Sequence, residues 1–193
     1  MEATGEVNLL NRRGEDYPGF PQKFDQRFSG DVALLKGPNF GGTEIALIGQ
    51  EGELIRINLE GKVTQSKQLF RPTTRSKYAM VSDVLETGYR IIRNDFNRIA
   101  FYDMEANEVF EVPLDNSGEL EVEFYNFRNG KELYAVRDLA KNQLYLYNNE
   151  GKQLCPTIPS SERLSILYYQ NLSEYEVFVN FANQLNIYAI DAQ

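Results

Sequence analysis

In the segment Leu144–Lys152, LYLYNNEGK, apolar and aromatic residues run into a polar stretch that ends in glycine and lysine. Similar nine-residue segments occur at Val7–Glu15 (VNLLNRRGE), Leu54–Lys62 (LIRINLEGK), Ile99–Asn107 (IAFYDMEAN) and Leu185–Gln193 (LNIYAIDAQ). The starts of successive copies lie 47, 45, 45 and 41 residues apart. This near-constant spacing indicates an internal repeat of stacked supersecondary units.

Two positions of the nine-residue repeat indicate a strand that ends in a tight turn. The fifth is Asn11, Asn58, Asp103, Asn148 or Ala189, and the eighth is Gly14, Gly61, Ala106, Gly151 or Ala192. Asn and Asp side chains accept hydrogen bonds from their own backbone, and Gly adopts positive φ without a Cβ clash. We therefore expect each copy to lead its strand into a turn toward the next strand.

Three further apolar runs accompany each copy and complete a unit of four short strands. Two lie upstream, for example Lys77–Val81 and Gly88–Arg93, and a weaker one lies downstream, for example Val63–Phe70. Four strands in about 45 residues, separated by Gly, Asn and Asp, are typical of a β-propeller blade. The sequence thus predicts an all-β chain of about four antiparallel blades plus an incomplete one. The predicted blade units are 1–28 (partial), 29–74, 75–116, 117–159 and 160–193.

The strand count indicates an open, partial propeller. Five copies of the third strand occur but only four of the first and second, so the chain begins and ends partway through a blade. We expect a piece of a longer propeller, whose open edges meet the remaining blades or pair two chains into a dimer. A closed four-blade ring would instead recruit Phe20–Phe24 as the missing outer strand. A plain β-sandwich is a weaker alternative because it needs no four-strand period.

The segment Gly14–Pro21, GEDYPGFP, resembles the G-x-x-x-P-G-F-P turn of bacterial propellers of the broad quinoprotein-like and FG-GAP-like kind. Together with Leu144–Lys152, it makes the chain similar to the end of large uncharacterised bacterial repeat proteins, many of them exported. The resemblance implies a propeller fold and favours a periplasmic or cell-surface location. The D-x-D-x-D-G calcium loop of FG-GAP repeats and the docking tryptophans of quinone-binding propellers are missing. The resemblance therefore implies neither a metal nor a cofactor.

Composition excludes most catalytic sites. The 193-residue chain has no His and one Cys, Cys155, which rules out Ser-His-Asp and Cys-His sites, His-based zinc sites and intrachain disulfides. The net charge of -8 opposes binding to nucleic-acid phosphates, and no apolar run reaches the roughly 18 residues of a membrane span. We therefore expect a non-enzyme without cofactor, metal, nucleic acid or membrane insertion. The enzymatic alternative needs two converging carboxylates, which the sequence does not select.

Charge is segregated along the chain. Residues 56–98 hold nine Lys or Arg and four acids, whereas residues 99–127 hold eight acids and no basic residue. The first group includes Arg71, Arg75 and Lys77, in the loop that enters a predicted blade. We expect these three residues to form a basic rim that receives an acidic protein partner; the alternative is an ordinary mixed surface.

Two kinds of function suit a propeller without catalytic residues. The first is a scaffold or protein-interaction module within a larger bacterial protein, because rim loops vary on a rigid frame. The alternative is binding of a glycan or another small ligand by exposed rings near the central channel, with Tyr125, Tyr168 and Tyr169 as candidates. Exposed rings around one opening of the propeller would favour the ligand-binding function. Rings packed between blades, as expected for Tyr102 and Tyr147, would favour the scaffold.

Overall fold

The computed structural model describes residues 5–36, 42–69, 76–84, 88–116, 118–128, 130–161 and 163–192. Within these ranges every regular element is a β-strand, as the sequence predicts, and no helix that would cross a membrane is found. The strands are β1 (Gly5–Val7), β2 (Gln22–Phe24), β3 (Phe28–Leu35), β4 (Glu44–Gly49), β5 (Glu53–Asn58), β6 (Val63–Gln68), β7 (Lys77–Ser82), β8 (Tyr89–Asn94), β9 (Arg98–Tyr102), β10 (Glu108–Pro113), β11 (Leu120–Asn126), β12 (Glu132–Asp138), β13 (Gln143–Asn148), β14 (Ile158–Pro159), β15 (Leu164–Tyr169), β16 (Glu174–Phe181) and β17 (Gln184–Asp191).

The strands form five antiparallel sheets, each built from strands that follow one another in the chain. Blade 1 is β1–β2, blade 2 is β3–β6, blade 3 is β7–β10, blade 4 is β11–β14 and blade 5 is β15–β17. Blades 2, 3 and 4 have the four strands that the repeat predicts. In the described residues blade 5 has three strands and blade 1 has two. Each sheet lies within one predicted unit, except that β3 begins one residue early, at Phe28.

The first strands of blades 2, 3 and 4, which are β3, β7 and β11, are neighbours in space. The backbone N–H of Met80 in β7 donates to Oδ2 of Asp31 in β3 at 3.0 Å. Asp83 forms a parallel bridge with Phe124 in β11, and its Oδ1 accepts the N–H of Asn126 at 2.8 Å. These contacts join consecutive blades at their inner strands.

Apolar side chains pack between the blades. In β4, Ile45 and Leu47 face blade 1, whereas Ala46 and Ile48 face blade 3, and all four are 6% exposed or less. Successive side chains of a strand point to opposite faces, so a strand between two blades is apolar on both. Four such clusters join the blades in order, from blade 1 to blade 5. The chain is therefore a partial β-propeller.

A group of aromatic rings holds blades 3 and 4 together. The ring centroid of Phe101 lies 4.7 Å from that of Phe110 and 4.7 Å from that of Tyr134, and Phe110 and Tyr134 are 4.9 Å apart. Burial of one such side chain stabilises a fold by about 1.5–3 kcal/mol. Tyr102 and Tyr147, which the sequence predicts between blades, are also buried.

Four copies of the nine-residue repeat close with the same turn. In each, one side-chain oxygen accepts the backbone N–H groups two and four residues later: Asn11 from Arg13 and Glu15, Asn58 from Glu60 and Lys62, Asp103 from Glu105 and Asn107, and Asn148 from Glu150 and Lys152. The eighth residue has positive φ in all four, from 60° at Ala106 to 79° at Gly14. The structure confirms the predicted roles of both positions in these copies.

The fifth copy departs from this pattern. Its fifth residue, Ala189, lies inside β17, which continues to Asp191. Because alanine has no side-chain oxygen, it cannot accept the two N–H groups that close the other turns. The expectation of a turn at this point was wrong.

The N-terminal segment forms a small sheet of its own. β1 pairs with β2, with Gly5 opposite Phe24 and Val7 opposite Gln22. Among the described residues β2 has no pairing with β17, so the alternative in which Phe20–Phe24 completes the last blade is wrong. Phe20 is instead buried against β4 and β5 of blade 2.

Two glycines allow this segment to contact blade 2 closely. Gly19 has a φ of 89°, and a Cβ on it would overlap the carbonyl oxygen of Glu60. Gly61 has a φ of 78°, and a Cβ on it would overlap the carbonyl oxygen of Gly19. The two turns meet only because neither residue carries a side chain. The contact explains Gly19, the second glycine of the GEDYPGFP segment.

We expect Gly19→Ala to destabilise the chain more than Gly14→Ala. Both glycines have positive φ, which costs an L-residue about 1–2 kcal/mol. A Cβ on Gly14 meets nothing within 4 Å, whereas Gly19→Ala adds a backbone overlap, so its total loss should reach about 3 kcal/mol. Urea denaturation measures the free energy of unfolding of both variants. Equal losses would contradict the close approach of the two turns.

Candidate interaction surfaces

Of the three residues predicted to form a basic rim, Lys77 lies within the described residues. It begins β7, its side chain is exposed, and its ammonium lies 5.3 Å from the centroid of the Phe96 ring. Arg71 and Arg75 lie outside the described residues, so the basic rim stays a prediction. The exposed ammonium of Lys77 is accessible to an anionic group.

Tyr125 is buried. Its residue is 3% exposed, its ring stacks on that of Phe127 at a centroid distance of 5.7 Å, and its hydroxyl donates to Glu123 at 2.5 Å. Burial, followed by the bond to Glu123, raises the pKa of the Tyr125 hydroxyl well above its usual value. The expectation of an exposed ring was wrong at this position, because Tyr125 belongs to the core between blades 4 and 5.

Tyr168 and Tyr169 lie on opposite faces of β15. Tyr168 is half-buried, and its ring centroid lies 5.1 Å from that of Tyr175 in the core between blades 4 and 5. Tyr169 is 39% exposed, and its hydroxyl donates to Glu176 at 3.0 Å. Consecutive strand residues point in opposite directions, so these two rings cannot form one ligand face.

A polar pocket of about 370 Å³ opens between blades 4 and 5. Lys131, Asn148, Glu150 and Lys152 are among its lining residues, together with the ring of Tyr175. Tyr175 is 2% exposed, so the pocket does not present a ring face on which a sugar would stack. The geometry therefore gives the glycan-binding alternative no aromatic platform here.

Ion pairs lie both between blades and within a blade. Arg90 of blade 3 pairs with Glu132 of blade 4 at 2.5 Å, and its guanidinium carbon lies 4.4 Å from the centroid of the Phe124 ring. Arg93 is fully buried and pairs with Asp95 at 3.0 Å. A buried ion pair left without one partner is strongly destabilising, so these pairs hold strands in register. We assign them a structural role.

The described part of the chain contains no group of three or more His, Cys, Asp or Glu residues that would hold a metal ion. Cys155 is partly buried, and burial raises the pKa of its thiol. A raised pKa lowers the thiolate fraction and hence the reactivity of a cysteine.

An uncovered apolar surface lies on the outer side of blade 5. Leu167, Leu185 and Ile187 are 47%, 63% and 57% exposed, and Phe178 lies opposite Ile187 on the neighbouring strand. The acidic residues of the same face, gathered toward one end, are Glu174, Glu176 and Asp191. We call the surface formed by these seven residues the end face. Apolar residues bordered by charge are typical of surfaces that dock proteins.

The pattern of β16 sets the end face apart from the interfaces between blades. β4 and β12 are buried on both faces, whereas in β16 buried side chains alternate with more exposed ones. A sheet with one open face shows this alternation, and a sheet covered on both sides does not. The sequence Glu174–Val177, EYEV, carries this signal, which the sequence analysis missed.

Three solved structures are similar to this chain. BBS1N, from a crystal structure of its complex with ARL6DN, is 12% identical with a TM-score of 0.58, over 96% of this chain and 59% of BBS1N. A protein of unknown function from Bacteroides caccae is 11% identical with a TM-score of 0.52, over 97% and 69% of the two chains. The WD40 domain of Toxoplasma gondii coronin is 13% identical with a TM-score of 0.50, over 100% and 52%.

These likenesses agree with the β-propeller fold, and at such identities they show the fold alone. This chain spans about three fifths of BBS1N, at 59% of its length. No family model and no curated protein matches the sequence. The resemblance to quinoprotein-like and FG-GAP-like propellers stays a prediction within the confirmed fold class.

We expect Tyr175→Phe to make the chain more resistant to alkali. Burial raises the pKa of Tyr175 to about 12 from a usual value near 10. The unfolded chain loses this proton first, so stability that is present below about pH 10 is lost as the pH rises to about 12. Thermal unfolding across that range measures the effect, with Tyr17→Phe as the exposed control. The same pH dependence in wild type and Tyr175→Phe would contradict it.

Proposed function

We propose that the chain is a non-catalytic interaction scaffold whose stacked blades hold the end face rigid for a protein partner. The observation that carries the proposal is the exposure of Leu167, Leu185 and Ile187 on a sheet whose opposite face is buried. Contiguous exposed apolar residues mark interaction sites more often than ordinary surface. A rigid sheet also lowers the entropy that binding costs.

The partner that suits this surface carries apolar residues flanked by Lys or Arg. Glu174, Glu176 and Asp191 place three carboxylates at one end of the end face. Opposite charges at the margin of an interface steer association and fix orientation. The net charge of -8 also attracts a basic partner at low salt.

The edge of β17 offers a second contact. Blade 5 has three strands where blades 2 to 4 have four, so within the described residues no strand pairs with the outer side of β17. An extended segment of a partner can add to such an edge as a further strand. The end face alone measures about 14 by 26 Å, an area on the order of 360 Å². This area is well below the roughly 800 Å² per partner of a standard interface. Face and edge together therefore suit a reversible complex.

The structural likeness supports an interaction role in general. BBS1N, a structure similar to this chain, was crystallised in complex with ARL6DN. At 12% identity we infer only that a frame of this kind is suited to holding a protein. The partner itself is argued from the end face.

Selection from a random peptide library tests the proposal. We expect wild type to enrich peptides that combine aliphatic or aromatic residues with Lys or Arg. Ile187→Asp should lower the affinity for these peptides about tenfold or more. Because Ile187 is 57% exposed, the substitution should leave the core intact. Raised salt should weaken binding of the same peptides, since it screens the charges at the margin of the end face.

The matched control is Val63→Asp, which adds the same charge to a 41% exposed residue of blade 2. Enriched peptides that lack basic residues, or that bind wild type and Ile187→Asp equally, would contradict the proposal. Sedimentation velocity of wild type tests a second copy as the partner. A dimer that Ile187→Asp abolishes would support the end face as the docking surface.

A further inference from the structure

A half-open cleft of about 260 Å³ lies between the inner strands of blades 3 and 4, apart from the end face. Its walls are aliphatic: Ala79 and Val81 of β7, Ile92 of β8, and Leu120 and Val122 of β11. Lys77 and Asn94 also line it and bring its polar groups. The cleft therefore combines an apolar interior with nitrogen donors.

The cleft exists because β7 and β11 are joined at one end. Asp83 bridges Phe124, and the N–H of Val84 donates to the carbonyl oxygen of Phe124 at 2.8 Å. In the described residues no pairing joins Lys77–Val81 to Leu120–Val122. The two strands leave room between their first halves, and the small side chain of Ala79 adds to this space.

A single positive charge lies on the lining of the cleft. Lys77 forms no ion pair within the described ranges of the chain, and its ammonium lies 5.3 Å from the centroid of the Phe96 ring. The Phe96 ring contacts Gly118 so closely that a Cβ on Gly118 would overlap it. This packing fixes the ring beside the ammonium and leaves Lys77 able to pair with an anion.

Asn94 supplies a second donor and is 7% exposed. Its Oδ1 accepts the N–H of Phe96 at 3.0 Å and Nδ2 of Asn116 at 3.1 Å. Because two donors hold the oxygen, Nδ2 of Asn94 is the atom left to donate to a ligand.

The neighbouring acid is already paired and does not repel an anion. Oδ1 of Asp95 accepts the hydroxyl of Ser76 at 2.6 Å, and its Oδ2 pairs with Nε of Arg93 at 3.0 Å. The charge of Asp95 is thus balanced within its own blade, and among the described residues Lys77 provides the ammonium on the lining of the cleft.

We propose that this cleft binds a medium-chain aliphatic carboxylate, with the chain between β7 and β11 and the carboxylate on Lys77 and Asn94. A volume of 260 Å³ lies between a cavity of about 150 Å³ that holds benzene and the pockets of about 300 Å³ or more that hold drug-sized ligands. It suits a single chain of about six to eight carbons. One ammonium and one amide match the two oxygens of a carboxylate, whereas a phosphate presents three. The site is independent of the docking function proposed for the end face.

Calorimetric titration with butyrate, hexanoate and octanoate tests the apolar part of the site. Each methylene that enters the cleft should tighten binding about fourfold, so octanoate should bind about 16-fold more tightly than hexanoate. Octylammonium has the same chain and the opposite charge, and wild type should reject it. Equal binding of octanoate and octylammonium would overturn the proposal.

Charge reversal tests the role of Lys77. Lys77→Glu should weaken octanoate at least about tenfold and allow octylammonium to bind, since the apolar walls are unchanged. Lys62→Glu makes the same change in net charge on an exposed turn of blade 2 and should leave octanoate binding as in wild type. Ala79→Leu fills the cleft and should abolish binding of both ligands, while thermal unfolding verifies that it folds.

NMR chemical-shift mapping locates the bound chain. Octanoate should shift the resonances of Ala79, Ile92 and Val122, which line the cleft. The Ile187→Asp variant should bind octanoate with the affinity of wild type. Shifts confined to Leu185 and Ile187 would place the ligand on the end face and overturn the proposal. Absence of octanoate binding to wild type, or the same affinity in Lys77→Glu, would overturn it as well.

Discussion

The central strands of blades 2 to 4 carry apolar side chains on both faces, which constrains the fold because both faces must be buried. In β4, Ile45 and Leu47 lie on one face of the sheet and Ala46 and Ile48 on the other, because alternate residues point in opposite directions. Each face must be buried against a different neighbouring sheet. A single sheet against water exposes half of these side chains. Stacking sheet on sheet buries both sets, so each added blade stabilises its neighbour while exposing a new face of its own.

This constraint also limits where function can lie. Most of both faces of blades 2, 3 and 4 is buried against the neighbouring blades. Exposed surface for binding is therefore left on the terminal sheets and along the first strands β3, β7 and β11, which we call the inner edge. Val32 and Leu34 of blade 2 are 61% and 46% exposed, on the face turned toward the two-stranded blade 1. Blade 5 presents the end face, and the inner edge opens into the cleft beside Lys77. The two proposed binding surfaces therefore lie at the end of the stack and beside its first strands, away from the core between blades.

Local turn chemistry made most of the fold predictable from sequence. The predicted runs Lys77–Val81 and Gly88–Arg93 differ by about one residue from β7 and β8. The period itself could be counted because Asn or Asp closes the turn after the repeated strand in four copies. The sites were less predictable. Tyr125 is buried by contact with blade 5, which its own strand does not encode. The cleft depends on the separation of two strands about 40 residues apart, although the alternation in β16 did signal an open face.

Consecutive blades pack face to face through their alternate side chains, which brings rings of neighbouring blades into contact. An isotope-edited NOE spectrum tests it most directly at the rings of Phe101 in blade 3 and Tyr134 in blade 4, whose centroids lie 4.7 Å apart. We expect strong cross-peaks between these two rings. Their absence, with Phe101 contacting residues of a non-adjacent blade instead, would contradict the stacked arrangement.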